Sequence, residues 1–266
     1  MNEKIIKICE QKFIYLNYSE RTKENYIPHI RSFLKYLGDK QVAHCNSKDF
    51  QNYLDNYKFS SVSQQNQVIN AIRFLYKYGL DRKYDKVSFQ RPRSEKKLPL
   101  VINKEYLLEK VNGIQNSKHK AIIALAYSTG MRVSEVINLK IEDFDLESNL
   151  IFIRNGKGRK DRVVPLSSTV RGLLRLYWDE YKPICYVFNG SKGGRYSARS
   201  CNEIVKKYLG EKFHFHTLRH SALTNLAENQ VNLSVIQKIA GHSSPKTSSL
   251  YIHLSNNSLN NLPLAI

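Results

Sequence analysis

Three histidines and an arginine fall within seven residues in HFHTLRHSALTN (214–225). Two chemistries suit such a cluster. His216 and His220 are four apart and would share a helix face, as in a zinc-binding HExxH. Here, however, Thr217, Leu218 and Arg219 stand between them. There is no glutamate in the base position, and a guanidinium beside a supposed cation is electrostatically poor for zinc. The other chemistry is phosphate binding. His216 and Arg219 are three apart and can face one point. An arginine fork matches phosphate oxygens, and a histidine moves a proton near neutral pH. Thr217 could cap the following helix and bring both groups to its positive end. Taken alone, the stretch also describes a surface arginine beside a core histidine.

Three further stretches bear on that choice. In STGMRVSEV (128–136), Arg132 follows a turn at a helix start, where free amides and a guanidinium make an anion site. In NGKGRKDR (155–162), Lys157 sits between two glycines that let backbone approach a ligand closely. In IAGHSSPKTSSLYIH (239–253), His242 follows Gly241, Ser244-Pro245 resembles a helix start, and Tyr251 comes nine residues after His242. Each has a plain structural reading as well: a cap, a solvated turn, core packing. Among 17 tyrosines, Tyr251 does not stand out by itself.

The whole chain favours phosphate. Lys and Arg number 42 against 23 Asp and Glu, a formal net charge of +19. Such an excess repels itself in the folded state, and a polyanion is the partner that rewards it. No sustained lysine-rich amphipathic helix supports a membrane surface instead. Cys9, Cys45, Cys185 and Cys201 form no CxxC pair, so a zinc ribbon is disfavoured and reduced thiols are expected. The N-terminus has no apolar signal core, and AIIALAY (121–127) is too short to span a bilayer. A soluble, cytoplasmic protein without a membrane partner is expected.

The elements that must position these residues fall into two textures. Residues 1–87 read as all-helical. Ile5, Cys9, Phe13 and Leu16 make one face; Tyr26, Ile30, Phe33, Leu34 and Leu37 a second ending at Gly38; Val68, Ile72, Leu75 and Tyr76 a third ending at Gly79. Pro28 suggests that the second helix is kinked or starts later. The polar, basic run 81–99, with two prolines, reads as a linker, its core at 88–99. Residues 100–266 combine a buried helix at 120–130, another starting in MRVSEVINLK, and a β-hairpin over 149–166. Helices follow at 168–182, 197–209, 217–229, 233–240 and 245–254. The fold expected is mainly α with a small β-sheet.

In this order and at this spacing, TGMRVSEV, GKGRKDRVVPL, HTLRH and AGHSSPKTSSLY resemble the tyrosine recombinase (phage integrase) family. YSERTKENYIPHIRSFLKYL (18–37) and SVSQQNQVINAIRFLYKYG (61–79) resemble its helical core-binding, SAM-like domain. The resemblance implies an α+β catalytic domain over 100–266 and a core-binding domain over 1–87, clamping duplex DNA between them. It implies that Arg132 and Arg219 hold the scissile phosphate, that Lys157 protonates the leaving 5′ oxygen, and that His216 accepts or relays the tyrosine proton. His242 would bond a phosphate oxygen, and Tyr251 would attack phosphorus to give a 3′-phosphotyrosyl link. Glu135 would support Arg132, while His214 and His220 would be structural. Strands would then be exchanged through a Holliday junction by a homotetramer on its sites, with neither metal nor ATP and no other cofactor, and with accessory proteins as further candidate partners. The absence of an arm-binding domain ahead of residue 1 is similar to the Xer proteins and to small mobile-element integrases. The apolar end LPLAI (262–266) would dock on a neighbouring protomer or on its own domain. Arg199, Lys206 and Lys207 are candidates for DNA-backbone contact.

Three rivals remain at this point. NLSVIQKIAGHSSPKTSSLYIH also resembles a helix-turn-helix, so a non-catalytic DNA-binding regulator is possible, though one would not need Arg132, Lys157 and the HxxR pair. A metal-dependent nuclease would need an acidic cluster, and Asp143 with Asp145 is the tight acidic pair near the other motifs. A type IB topoisomerase-like strand transferase would share the chemistry without a site or synapsis.

Overall fold

The computed structural model describes residues 2–38, 42–81, 91–92, 98–154, 161–190 and 193–254. The chain divides into two compact units, Met1–Lys96 and Lys97–Ile266.

The first unit is helical. Helix α1 (Asn2–Tyr15) buries Ile5, Ile6, Cys9 and Phe13, the face that its periodicity predicts; Leu16 lies just beyond its end. Helix α2 (Glu20–Leu37) is capped by the Ser19 hydroxyl, runs through Pro28 and ends at Gly38, so the proline neither delays its start nor ends it. Helix α3 (Ser47–Asn56) has no counterpart in the sequence reading. Its short amphipathic pattern starts from an Asn46–Asp49 capping box, a signal present but unused. Helix α4 (Val62–Phe74) passes into a π-helical turn, Leu75–Gly79. Gly79 is there for space: a Cβ would stand 2.7 Å from Cys9 Sγ. Phe13 and Phe74 stack at 3.8 Å between ring centroids in the middle of this core. Part of the expected linker lies outside the described residues. Arg91 does not behave as a solvated tether, because its two terminal nitrogens donate to Asn66 and Asn70 of α4.

The second unit is built around α6 (Ser117–Thr129), whose Ala121, Ile122, Ile123, Leu125 and Ala126 are buried against α8 (Ser168–Tyr181) and α10 (Phe215–Glu228). Helices α5 (Lys104–Asn112), α7 (Val133–Asn138) and α9 (Ala198–Leu209) complete the shell. The expected hairpin is present as β2 (Leu150–Ile153) and β3 (Arg162–Pro165), antiparallel with Ile151 opposite Val164, and its tip lies outside the described residues. A short β1 (Phe144–Asp145) adds a third strand on the β2 edge. Helices α11 (Leu233–Ala240) and α12 (Pro245–Leu254) carry a small core of their own with α10: Leu223, Ile236, Ala240 and Tyr251. No described helix is long and apolar enough to cross a membrane.

Candidate active site

Helix α10 starts two residues earlier than its pattern suggests, at Phe215, with His214 at the N-cap. Thr217 is therefore not the cap itself. It lies in the first turn, and its hydroxyl accepts from the His214 amide at 3.3 Å. This places His216 on the exposed first turn and Arg219 one turn deeper, 1 % exposed.

A guanidinium this deep needs acceptors, and backbone supplies them. Arg219 Nη1 donates to Gly130 O at 2.6 Å, where α6 ends, and Nη2 donates to Ala240 O at 2.5 Å. Arg132 is the N-cap residue of α7; its Nη2 donates to Gly241 O at 3.2 Å and its Nη1 to Glu135 Oε1 at 2.8 Å. Arg162, the first residue of β3, donates from Nε to Ile239 O at 2.7 Å. Three consecutive carbonyls at the end of α11 thus each receive one arginine. These are the carbonyls a helix leaves without partners, at its negative end. Burial lowers the Arg219 pKa, helped by Arg132, to about 10, which leaves the group charged at neutral pH.

Glu135 is the counter-charge. Its carboxylate receives the Arg132 amide, Arg132 Nη1, and both terminal nitrogens of Arg162 at 2.7–2.8 Å. Burial alone would raise its pKa; the bonds and charge of Arg162, then those of Arg132, outweigh burial and bring it down to about 2.

Arg219 Nη2 also lies 3.0 Å from His242 Nε2. A guanidinium only donates, so Nε2 is the acceptor, and Nδ1–H donates to Ser248 Oγ at 2.9 Å. His242 is therefore neutral, in keeping with burial and three nearby arginines lowering it to about 4. Its ring lies parallel to that of Tyr251, 6.0 Å away. The Tyr251 hydroxyl is hydrogen-bonded to His220 Nδ1 at 3.1 Å, one turn along α10 from His216, the residue assigned that proton from the sequence. His220 is lowered to about 4 by burial and then by His216 and Arg219. His216, edge-on to His220 with ring centroids 4.5 Å apart, is lowered by burial first and Arg219 second. Tyr251 is 2 % exposed; burial raises its pKa while Arg219 and Arg132 oppose the rise.

Five of the six expected residues, Arg132, His216, Arg219, His242 and Tyr251, thus gather at one place around the α11–α12 turn. Lys157 lies outside the described residues. Residues 103–258, more than half of the chain, match the family model described as the phage integrase family. The chain belongs to that family, the tyrosine recombinases.

Residues 5–86 match the model for the N-terminal SAM-like domain of phage integrases. A tyrosine recombinase of Thermosipho africanus is 29% identical over 272 residues, covering 95% of this chain and 96% of its own. Tyrosine recombinase XerA of Pyrococcus horikoshii is 31% identical over 256 residues, covering 92% of this chain and 88% of its own. The same fold occurs in a crystal structure of the XerH site-specific recombinase bound to its difH substrate in a pre-cleavage complex, with a TM-score of 0.73, 24% identity, and coverage of 98% of this chain and 82% of that one.

Two residues of the recombinase site escaped the sequence reading. His220 had been set aside as structural, yet it holds the tyrosine hydroxyl; its i,i+4 spacing from His216 was the available signal. Arg162, at the foot of the hairpin, is the second. A cation opening the apolar run Val163-Val164 was the signal for a buried partner. Asp143 and Asp145 do not form a metal cluster. Asp143 pairs with Arg154 at 2.9 Å, Asp145 accepts the amides of Glu147 and Ser148, and no group of three or more His, Cys, Asp or Glu among the described residues could hold a metal ion.

Proposed function

We propose that this recombinase cleaves and rejoins DNA at specific sites through a 3′-phosphotyrosyl intermediate. The observation that supports it best is the Tyr251 hydroxyl bonded to one histidine, His220, with its ring parallel to that of another, His242, whose Nε2 accepts from Arg219. Arg132 and Arg219 take the two non-bridging oxygens of the scissile phosphate and offset the charge that builds there in the transition state. The Tyr251 proton passes to His220 Nδ1, and His216, exposed and edge-on to it, is the route to solvent. Tyrosine oxygen bonds to phosphorus as the bond to the 5′ oxygen breaks. Lys157, by the resemblance of GKGRKDRVVPL to the family's motif, supplies the proton that the 5′ oxygen takes up. Once phosphate occupies Arg219, the His242 proton moves to Nε2, which donates to a phosphate oxygen, while Nδ1 accepts from the Ser248 hydroxyl. The phosphotyrosyl link keeps the free energy of the broken bond, so a 5′-hydroxyl from another strand reverses the step without ATP, and no step requires a metal.

Exchanging both strands of two duplexes takes four cleavages. With one Tyr251 per chain, that means four protomers and a Holliday junction between the two rounds. The helical unit and the basic face of α9, with Arg199, Lys206 and Lys207, are proposed to hold the DNA backbone, and the protein acts in the cytoplasm, where that DNA lies. Accessory proteins remain candidate partners.

The test is covalent trapping. Nicked duplexes from DNA flanking the gene are incubated with the protein in EDTA and run on a denaturing gel beside Tyr251→Phe. An adduct in the wild type and none in the variant is expected. Specific binding without any adduct would instead favour a regulator.

A further inference from the structure

The reading above leaves Arg162 without a task, although it is more deeply buried than Arg132: their side chains are 8% and 19% exposed. We propose that Arg162 is a positioning residue for phosphate capture. By holding the Glu135 carboxylate through both oxygens, it leaves Arg132 a positive charge and free donors for the DNA phosphate. The inference rests on the proposed role of Arg132.

The geometry is that of a shared carboxylate. Arg162 makes a two-pronged pair with Glu135, Nη1 to Oε1 at 2.8 Å and Nη2 to Oε2 at 2.7 Å. Arg132 reaches the same group with one terminal nitrogen, at Oε1. Its other terminal nitrogen is on Gly241 O, at the longer distance of 3.2 Å. Arg132 and Glu135 alone would be a neutral pair. Adding Arg162 makes the trio net positive. It also occupies the side of the carboxylate that a two-pronged Arg132 would otherwise claim. A planar fork prefers to pair with both oxygens of a carboxylate, and only a competing fork prevents it.

Position supports the same role. Arg162 is held at both ends: at Glu135 of α7, and at Ile239 O by its Nε. Gly241 makes room for it, since a Cβ there would stand 3.1 Å from Arg162 Cδ. In sequence it lies five residues after Lys157, on the strand that leaves the hairpin tip. One side chain therefore ties β3 to α7, which carries Glu135 next to Arg132, and to the end of α11, which leads into His242.

The experiment compares Arg162→Met, Glu135→Gln and the double variant, each as the full chain, in single-turnover formation of the Tyr251–DNA adduct on a nicked duplex. Arg162→Met lets Glu135 capture Arg132 and is expected to slow the step about 100-fold, the cost of misplacing a reacting group by about 1 Å. Adding Glu135→Gln removes the charge that Arg162 was holding, so the double variant is expected to regain about 10-fold or more over Arg162→Met, because the amide no longer neutralises Arg132. A purely structural Arg162 predicts the reverse, a double variant slower than either single one. That order, or an Arg162→Met rate within about 2-fold of wild type, overturns the proposal. If Arg162→Met does not fold, the double variant is compared with Glu135→Gln: rates within about 3-fold support the proposal, and a further loss of about 10-fold or more overturns it. Arg132→Lys runs alongside. A wild-type rate in that variant would remove the underlying reading of Arg132, an outcome distinct from any result at Arg162.

Discussion

At the scale of single residues, the site is a crowd of cations around one carboxylate, and two of its buried histidines are held neutral beside it. His220 and His242 are each brought to about 4, burial being the larger cause and neighbouring cations the next. A neutral His220 can take a proton from Tyr251 at any pH well above 4, so the acid limb of adduct formation should not show the ordinary histidine titration near 6.5. The same shifts tie folding to pH. A histidine whose folded pKa is below its unfolded value of 6.5 binds fewer protons folded than unfolded in between. Stability is then complete above about 6.5 and is lost as pH falls toward 4. Glu135, lowered from 4.5 to about 2, adds a second loss below 4.5. The expected result is a thermal midpoint that is level from pH 8 to 7 and falls steadily from 6.5 to 4, with a shallower fall in His220→Gln. A midpoint unchanged between pH 7 and 4.5 would show that neither histidine is held neutral. His220→Ala is also expected to slow adduct formation about 10²- to 10⁴-fold, the usual contribution of a positioned proton acceptor.

At the scale of elements, the end of α11 is what brings the three arginines together. Ile239, Ala240 and Gly241 offer consecutive carbonyls to Arg162, Arg219 and Arg132, and the next residue is His242. Gly241 holds this turn at φ +60, a left-handed conformation that costs a side chain strain, and the Arg162 guanidinium fills the space beside it. Gly241→Ala should therefore destabilise the protein by about 1–3 kcal/mol in denaturant titrations. It should also slow adduct formation while leaving DNA binding in a shift assay near wild type. Unaltered cleavage in a correctly folded Gly241→Ala protein would mean that the turn does not set the arginines. This seat explains what could be seen in the sequence and what could not. Helices α1, α2, α6 and α8 were visible because a buried face imprints a 3.6-residue period on residue types. Arg132, Arg219, His242 and Tyr251 could be named together because the order and spacing of their motifs resemble a family, not because their types alone single them out. Helices α3 and α5 announce themselves mainly by the Asn46 and Asn103 caps ahead of them, a signal of a single residue each. The arginine seat left no mark, since it consists of backbone carbonyls, which every residue has. Which of two histidines on one helix face meets Tyr251 depends on how α12 packs on α10, and local spacing is silent on that.

At the scale of the whole molecule, the formal charge of +19 sets how DNA is found, and the site sets what is then done to it. Glu135 already serves two arginines, and the excess elsewhere is matched when it neutralises DNA phosphates and so releases the cations condensed on the duplex. Release of those ions makes binding fall steeply with salt: with about six to ten phosphates engaged, affinity should drop about 10³- to 10⁵-fold between 50 and 200 mM salt. Fluorescence anisotropy of a labelled duplex across a salt series measures the slope. The slope should be the same for Tyr251→Phe, because a buried hydroxyl bonded to His220 contributes nothing to long-range attraction. Arg132→Ala should flatten it by about one phosphate at most. Binding that barely responds to salt would mean that the positive charge is not spent on the backbone. A Tyr251→Phe slope well below wild type would mean that the tyrosine helps to hold DNA as well as cut it. Matching slopes together with a lost adduct would separate the two jobs cleanly: capture by the charge of the chain, and chemistry by the few side chains seated on the end of α11.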